Sequence, residues 1–249
     1  MEVVAIVAAG GLGTRLGRGS KALLQLNGRT TLARAVELFL SLDEVTRIVV
    51  VAPPARISAA EAEVAQLRPP RPVEVCPGGE SRQQSVRAGL SRVAGADYVL
   101  VHDAARPLAT AALCRRVLRA AIESGAAFPG LRPRDAVKRV EGQRLVESLD
   151  RSRIVLAQTP QAFAYGVLLK AHFEAHETGL EGDDDAQLVA ATGHPVMVVE
   201  GEPANLKLTT AGDFDVLEAL LREQEAVSGG ASREKGFARP AHRGVLPSR

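Results

Sequence analysis

Two periods of apolar spacing run along the first half of the chain. VVAIVA (3–8), RIVVVA (47–52), VEVC (73–76) and YVLVH (98–102) are nearly unbroken apolar runs, the pattern of strands buried on both faces. Between them LARAVELFLS (32–41), ISAAEAEVAQL (57–67), SVRAGLSRV (85–93) and TAALCRRVLRAAIES (110–124) repeat apolar residues at helical spacing. Strand and helix in alternation predict an α/β fold, a Rossmann-like, mostly parallel sheet flanked by helices on both faces. Ligands of such sheets sit beyond the carboxyl ends of the strands, so residues 10–21, 77–84 and 103–107 should converge there.

The rhythm breaks at AVKRVEGQRLVESLDRSRIVL (136–156), where two alternating stretches flank Glu141-Gly142-Gln143. That pattern predicts a hairpin. A lone hairpin cannot bury both faces, so it is expected to project as an arm and pack against a second subunit, giving a homodimer. Further on, helices are predicted at 163–177, 183–191 and 211–225 and a strand at 195–200. Residues 1–225 read as a single domain. Residues 226–249, rich in Gly, Ser, Pro and Arg, read as a disordered basic tail.

Charge and composition narrow the choices. The net charge is +2, yet residues 226–249 carry five basic residues and one acidic one, leaving the body slightly acidic. A near-neutral body argues against nucleic-acid binding. No apolar run approaches the length of a membrane helix and the N-terminus lacks a signal-peptide pattern, so the expected location is cytoplasmic. Cys76 and Cys114 lie far apart and read as small buried side chains. His172 and His176, four apart, read as a solvated helix face, and Asp183, Asp184 and Asp185 as an acidic helix start favoured by the helix dipole.

The chemistry concentrates after the first strand. AIVAAGGLGTRLGRGSKALLQL (5–26) joins a buried run to five glycines, two arginines and a lysine. A Walker A loop would need a hydroxyl residue after the lysine, but Ala22 follows Lys21. A dinucleotide fingerprint would need a glycine where Leu16 stands and a carboxylate where the second strand ends in Val51-Ala52-Pro53-Pro54. Glycines let backbone N–H groups approach a triphosphate, Arg15 offers a rigid fork of donors and Lys21 a compact charge. VLVHDAARP (99–107) sets Asp103 just beyond a buried strand, where a carboxylate beside a triphosphate most simply binds Mg²⁺. Arg106 is placed to pair with Asp103 or with a substrate phosphate.

AAGGLGTRLG with its following lysine resembles the signature loop of nucleotidyltransferases that activate sugar and polyol phosphates. Together with GGESRQQSVRAGL (78–90), VHDAARP, DAVKR (135–139), DRSRIVLAQTPQAF (150–163), DDDAQLV (183–189) and VEGEPANLKLTTAGDF (199–214), it resembles the 2-C-methyl-D-erythritol 4-phosphate cytidylyltransferases of non-mevalonate isoprenoid biosynthesis. The resemblance covers roughly residues 2–222, and VHDAARP and TPQ with NLKLT are its most specific pieces. It implies transfer of CMP from CTP to methylerythritol phosphate, with Mg²⁺. It further implies that Arg15, Lys21, Arg151 and Lys207 are catalytic and that Asp103 holds the metal. Ala8, Ala9, Gly10, Gly13, Gly79, Glu80, Ser85 and Ala104 would line the CTP site, and Arg106, Asp135 and Thr159 the acceptor site. Arg151, at the base of the arm, would reach the neighbouring subunit's site. Ala136 stands where the family tends to have a threonine, and Ser20 where a proline usually precedes the lysine. Ribitol 5-phosphate or a sugar 1-phosphate is the alternative acceptor, and a non-catalytic nucleotide-binding module the alternative class.

Overall fold

VVAIVA forms β1 (Val3–Ala8) at the middle of an eight-stranded sheet. The computed structural model describes residues 1–10 and 21–233, without the side chains of Lys21 and 225–233. β1 pairs in parallel with β4 (Val45–Ala52) on one side and β6 (Tyr98–Asp103) on the other, and β5 (Val73–Pro77) extends the sheet beyond β4. Alternate residues of β1 face opposite layers. Val3, Ala5 and Val7 join a core with α1 (Thr31–Leu40), α2 (Ile57–Gln66) and α4 (Ala111–Ser124). Val4 and Ile6 join a second core with α3 (Arg82–Leu90), α5 (Tyr165–Thr178) and α6 (Asp185–Ala191). Burial on both faces is why these strands read as continuous apolar runs.

Two strands depart from the expected pattern. β7 (Ala126–Leu131) and β11 (Gln161–Ala164) complete the sheet beyond β6, with β11 inserted antiparallel between β6 and β7. Pro129 within AAFPGL masks β7 in the sequence, and four residues are too few for β11 to show a period. The short β10 (Leu156–Ala157) and β12 (Met197–Glu200) also pair with β7. α4 ends on Gly125 at φ +87°, a left-handed cap where an added Cβ would stand 2.6 Å from His194 Nε2.

The arm is shorter than predicted. β8 (Lys138–Glu141) and β9 (Arg144–Ser148) form a separate two-stranded sheet, while residues 151–153 make a 3₁₀ turn. Val140, Leu145 and Val146 on it are exposed. α7 (Ala211–Arg233) continues past residue 225, into the stretch expected to be disordered. Its Leu217 and Leu221 pack with Leu26, Leu108 and Leu208, joining the helix to the hairpin of β2 (Gln25–Leu26) and β3 (Arg29–Thr30) and to the segments after β6 and before α7. Cys76 and Cys114 are both buried and free, as expected, and burial pushes the Cys114 thiol up to about 12. No helix among the described residues is long and apolar enough to cross a membrane.

Candidate active site

The register of β1 against β6 sets Ala8 beside Asp103. Beyond that pair, Ala104 N–H donates to Ala8 O at 3.0 Å and Ala9 N–H to Val51 O at 2.8 Å. β1 therefore ends between β4 and β6, with Ala8 beside the metal candidate. Gly13, Arg15 and the Lys21 side chain lie outside the described residues.

Asp103 ends β6 almost fully buried, with both carboxylate oxygens paired. Oδ1 accepts from Arg82 Nε at 2.8 Å and Oδ2 from Lys207 Nζ at 2.6 Å. Burial opposes the charge, but the Arg82 and Lys207 cations outweigh it and hold the carboxyl far below the usual carboxylate range. Arg82 also donates from Nη1 to Asp185 Oδ2 at 2.8 Å, and Asp185 Oδ1 lies 2.9 Å from His172 Nε2. A chain of charged and polar groups thus runs from the exposed Lys207 to the buried His172. This corrects the reading of His172 as solvated; His176 is exposed. Asp184 is the α6 N-cap, accepting from Gln187 N–H, in keeping with an acidic helix start.

Below Asp103 a second network fixes the backbone. Thr159 Oγ1 accepts from Asp103 N–H at 3.1 Å and lies 3.0 Å from His102 Nδ1. The hydroxyl then donates to Nδ1, which leaves the imidazole proton on Nε2, facing Arg106 O at 3.2 Å. His102 is buried, and that burial pushes it down to about 4. Unfolded, it would take its proton near pH 6.5. The unfolded chain therefore binds more protons between these values, so stability is full above about pH 6.5 and falls as the pH drops toward 4. We expect a loss of roughly 2 kcal/mol between pH 7.5 and 5 from this group, read as a falling melting midpoint. His102→Asn should flatten that slope; an unchanged slope would refute the assignment.

Thr159 and Arg106, expected at the acceptor site, both make bonds within the protein. Thr159 is buried and its hydroxyl is engaged within the protein. The Arg106 guanidinium makes no bond to Asp103: Nη1 donates to Asn205 O at 2.8 Å and Nη2 to Ala157 O at 3.2 Å. Only its backbone N–H meets Asp103, at the carbonyl. Gln158 and Asn205, also absent from the expected set, tie the two specific motifs together. Gln158 Nε2 donates to Glu202 O and Asn205 O, and Asn205 Nδ2 to Thr159 O at 2.9 Å. Leu208 N–H donates to Ala105 O at 2.8 Å. Together they hold Lys207 over Asp103.

The cytidine candidates lie after β5. Added Cβ atoms at Gly78 and Gly79 would stand 2.6 Å from Ser85 Oγ and 2.4 Å from Gln84 Cβ, so glycine lets this loop close onto α3. Gln84 Oε1 accepts from Glu80 N–H, and Ser81 caps α3 by accepting from Gln84 N–H. Ser85 Oγ donates to Ser81 O at 2.9 Å, which leaves its lone pairs as acceptors. Arg151 and Asp135 are exposed. Arg151 Nη1 donates to Arg134 O, in a concavity it shares with Arg132, Pro133 and Ser152.

A mostly parallel sheet with Lys207 and Arg82 gathered on Asp103 at its carboxyl rim fits a nucleotidyltransferase. The chain belongs to the 2-C-methyl-D-erythritol 4-phosphate cytidylyltransferase family, whose model matches residues 3–223. It is 39% identical to the enzyme of that name from Geobacillus kaustophilus over 227 residues, 91% of this chain and all of the other. The crystal structure of the Thermus thermophilus enzyme superposes with a TM-score of 0.74 at 38% identity, covering 89% of this chain and all of that one. The Francisella tularensis enzyme gives a TM-score of 0.75 at 28% identity over 87% of this chain and 98% of its own.

Proposed function

We propose that the chain transfers CMP from CTP to 2-C-methyl-D-erythritol 4-phosphate. A phosphate oxygen of the acceptor forms a bond to the α-phosphorus of CTP, the bond from that phosphorus to the bridging oxygen breaks, and pyrophosphate leaves. The nucleophile is already anionic at neutral pH, so no general base is required. What the protein must supply is positive charge and alignment for two anions. The observation carrying this reading is the Lys207–Asp103–Arg82 cluster at the mouth of the glycine loop. Lys207, exposed and held among the described residues by its contact with Asp103, can exchange that carboxylate for an incoming phosphate. Arg15 and Lys21 are assigned to the charge that develops at the α-phosphate.

Asp103 fits Mg²⁺ in kind. That ion takes one or two carboxylates and completes its shell with phosphates and water, and each Asp103 oxygen keeps a lone pair beyond its cation contact. No cluster of three or more His, Cys, Asp or Glu arranged for a metal occurs among the described residues, which favours an ion arriving on the triphosphate. Bound there, Mg²⁺ would neutralise charge on the transferring and departing phosphates.

Two further assignments belong to this reading. The Ser85 hydroxyl, donating to Ser81 O, is suited to accept from the exocyclic amine of cytosine. The exposed Val140, Leu145 and Val146 suit the arm to a second copy of the chain, which would carry Arg151 and its neighbouring arginines toward the partner's acceptor phosphate.

Pyrophosphate release, measured with four nucleoside triphosphates crossed against methylerythritol phosphate, ribitol 5-phosphate and a sugar 1-phosphate, tests the function. Signal is expected with CTP and methylerythritol phosphate. Release from another pair alone would move the chain to a different acceptor, and release from none would leave a binding module.

A further inference from the structure

The two cations on Asp103 are not equivalent. Lys207 is 41% exposed and its ammonium touches Asp103 alone among the described residues. Arg82 is largely covered, and its guanidinium bridges Asp103 to Asp185, which is fully buried. Asp185 is fixed in turn by His172, also buried, on α5. Arg82 springs from the first residue of α3, whose N-cap Ser81 closes the loop bearing Gly79 and Glu80. One contact of Asp103 is therefore a loose surface ammonium and the other a planar fork anchored at its far end. A lysine cannot replace that fork, because a single nitrogen cannot present two separated donors to two carboxylates.

We propose that Arg82 is a positioning residue of this site: anchored on Asp185, it holds the Asp103 carboxylate in place when Lys207 turns to the incoming phosphates. The inference rests on the cytidylyl-transfer reading above. Without Arg82, the departure of Lys207 leaves Asp103 free to rotate at the moment when its direction matters. The residue acts through Asp103 and touches no substrate, so its removal should appear in turnover rather than in ground-state binding.

The test compares wild type with Arg82→Lys, Asp185→Asn and the double variant. Steady-state kinetics with CTP and methylerythritol phosphate are measured beside melting midpoints and calorimetric binding of CTP. For Arg82→Lys, kcat should fall roughly 10–100-fold, the scale of losing a buried charge-assisted bond. KM for both substrates and the CTP dissociation constant should stay within about threefold. Asp185→Asn should lower kcat in the same sense but less, and the double variant should be no slower than Arg82→Lys, because both changes break one chain.

A kcat for Arg82→Lys within twofold of wild type overturns the inference. So does a loss confined to KM for CTP, or effects that multiply in the double variant. If Arg82→Lys does not fold, Asp185→Asn decides: reduced kcat at unchanged KM supports the inference and unchanged kcat overturns it. A wild-type chain that releases no pyrophosphate overturns the functional reading itself, and this inference with it. Wild-type turnover beside an unaffected Arg82→Lys overturns the inference alone.

Discussion

Asp103→Asn should be the most damaging single change in the chain, lowering kcat on the order of 10²–10³-fold and the melting midpoint together. The carboxylate is the anion between Arg82 and Lys207. An amide there is neutral, and its NH₂ group would face one of two donors with a third. Breaking a buried ion pair from one side costs roughly 3–5 kcal/mol. Lys207 can relax into solvent and Arg82 keeps Asp185, so about 3 kcal/mol is the expected loss, or on the order of 10 °C in a chain of this size. The catalytic loss comes on top, because the proposed metal ligand goes and the two cations lose the anion that holds them in place. Differential scanning calorimetry and pyrophosphate release separate the two effects at a temperature where the variant is folded. Activity within tenfold of wild type in folded protein would show that Asp103 is a structural ion-pair partner and no more.

Arg15→Ala and Lys21→Ala should each lower kcat on the order of 10²–10³-fold, while KM for CTP changes less. The expectation rests on chemistry and on where the loop begins. Both residues follow a strand whose last residue, Ala8, is in register with Asp103. If the two side chains act on charge that appears only as the α-phosphorus is attacked, their loss is felt in turnover. Neither change should alter the melting midpoint appreciably, in contrast to Asp103→Asn. Steady-state kinetics that showed KM for CTP rising with kcat intact would instead make them ground-state ligands.

The parts of this molecule that are readable in the sequence share one property: their cause is local. β1, β4 and β6 are buried on both faces, so the central residues of each are apolar without a break and the strands announce themselves. α1 and α4 carry Thr30 and Thr110 as side-chain caps and an apolar stripe, and their predicted spans fall within a residue or two of the observed ones. Asp103, singled out by its place at the end of a strand, and Lys207, implied by the resemblance, meet at 2.6 Å.

What stays hidden depends on distant pairs. Arg82 reaches Asp185 across 103 positions, and neither residue's neighbours in the chain signal the other. His172 reads as solvated because a helical histidine gives no sign of the carboxylate that α6 brings to it. The bonds of Thr159 and Arg106 to His102, Asp103, Asn205 and Ala157 likewise join distant segments and leave no mark in the sequence. The only signal for Arg82 is its place inside GGESRQQS, beside the loop that bends over α3. Local patterning reports burial and capping, whereas the partner of a buried charge is decided by topology.

A crystal structure of the protein with CTP and Mg²⁺ decides whether this rim is the reaction centre. The triphosphate is expected at the carboxyl rim between β4 and β6, the metal on Asp103, Arg82 still bridging Asp103 and Asp185, and Lys207 released toward phosphate. Nucleotide bound elsewhere, with Asp103 still paired to both Arg82 and Lys207, would contradict it.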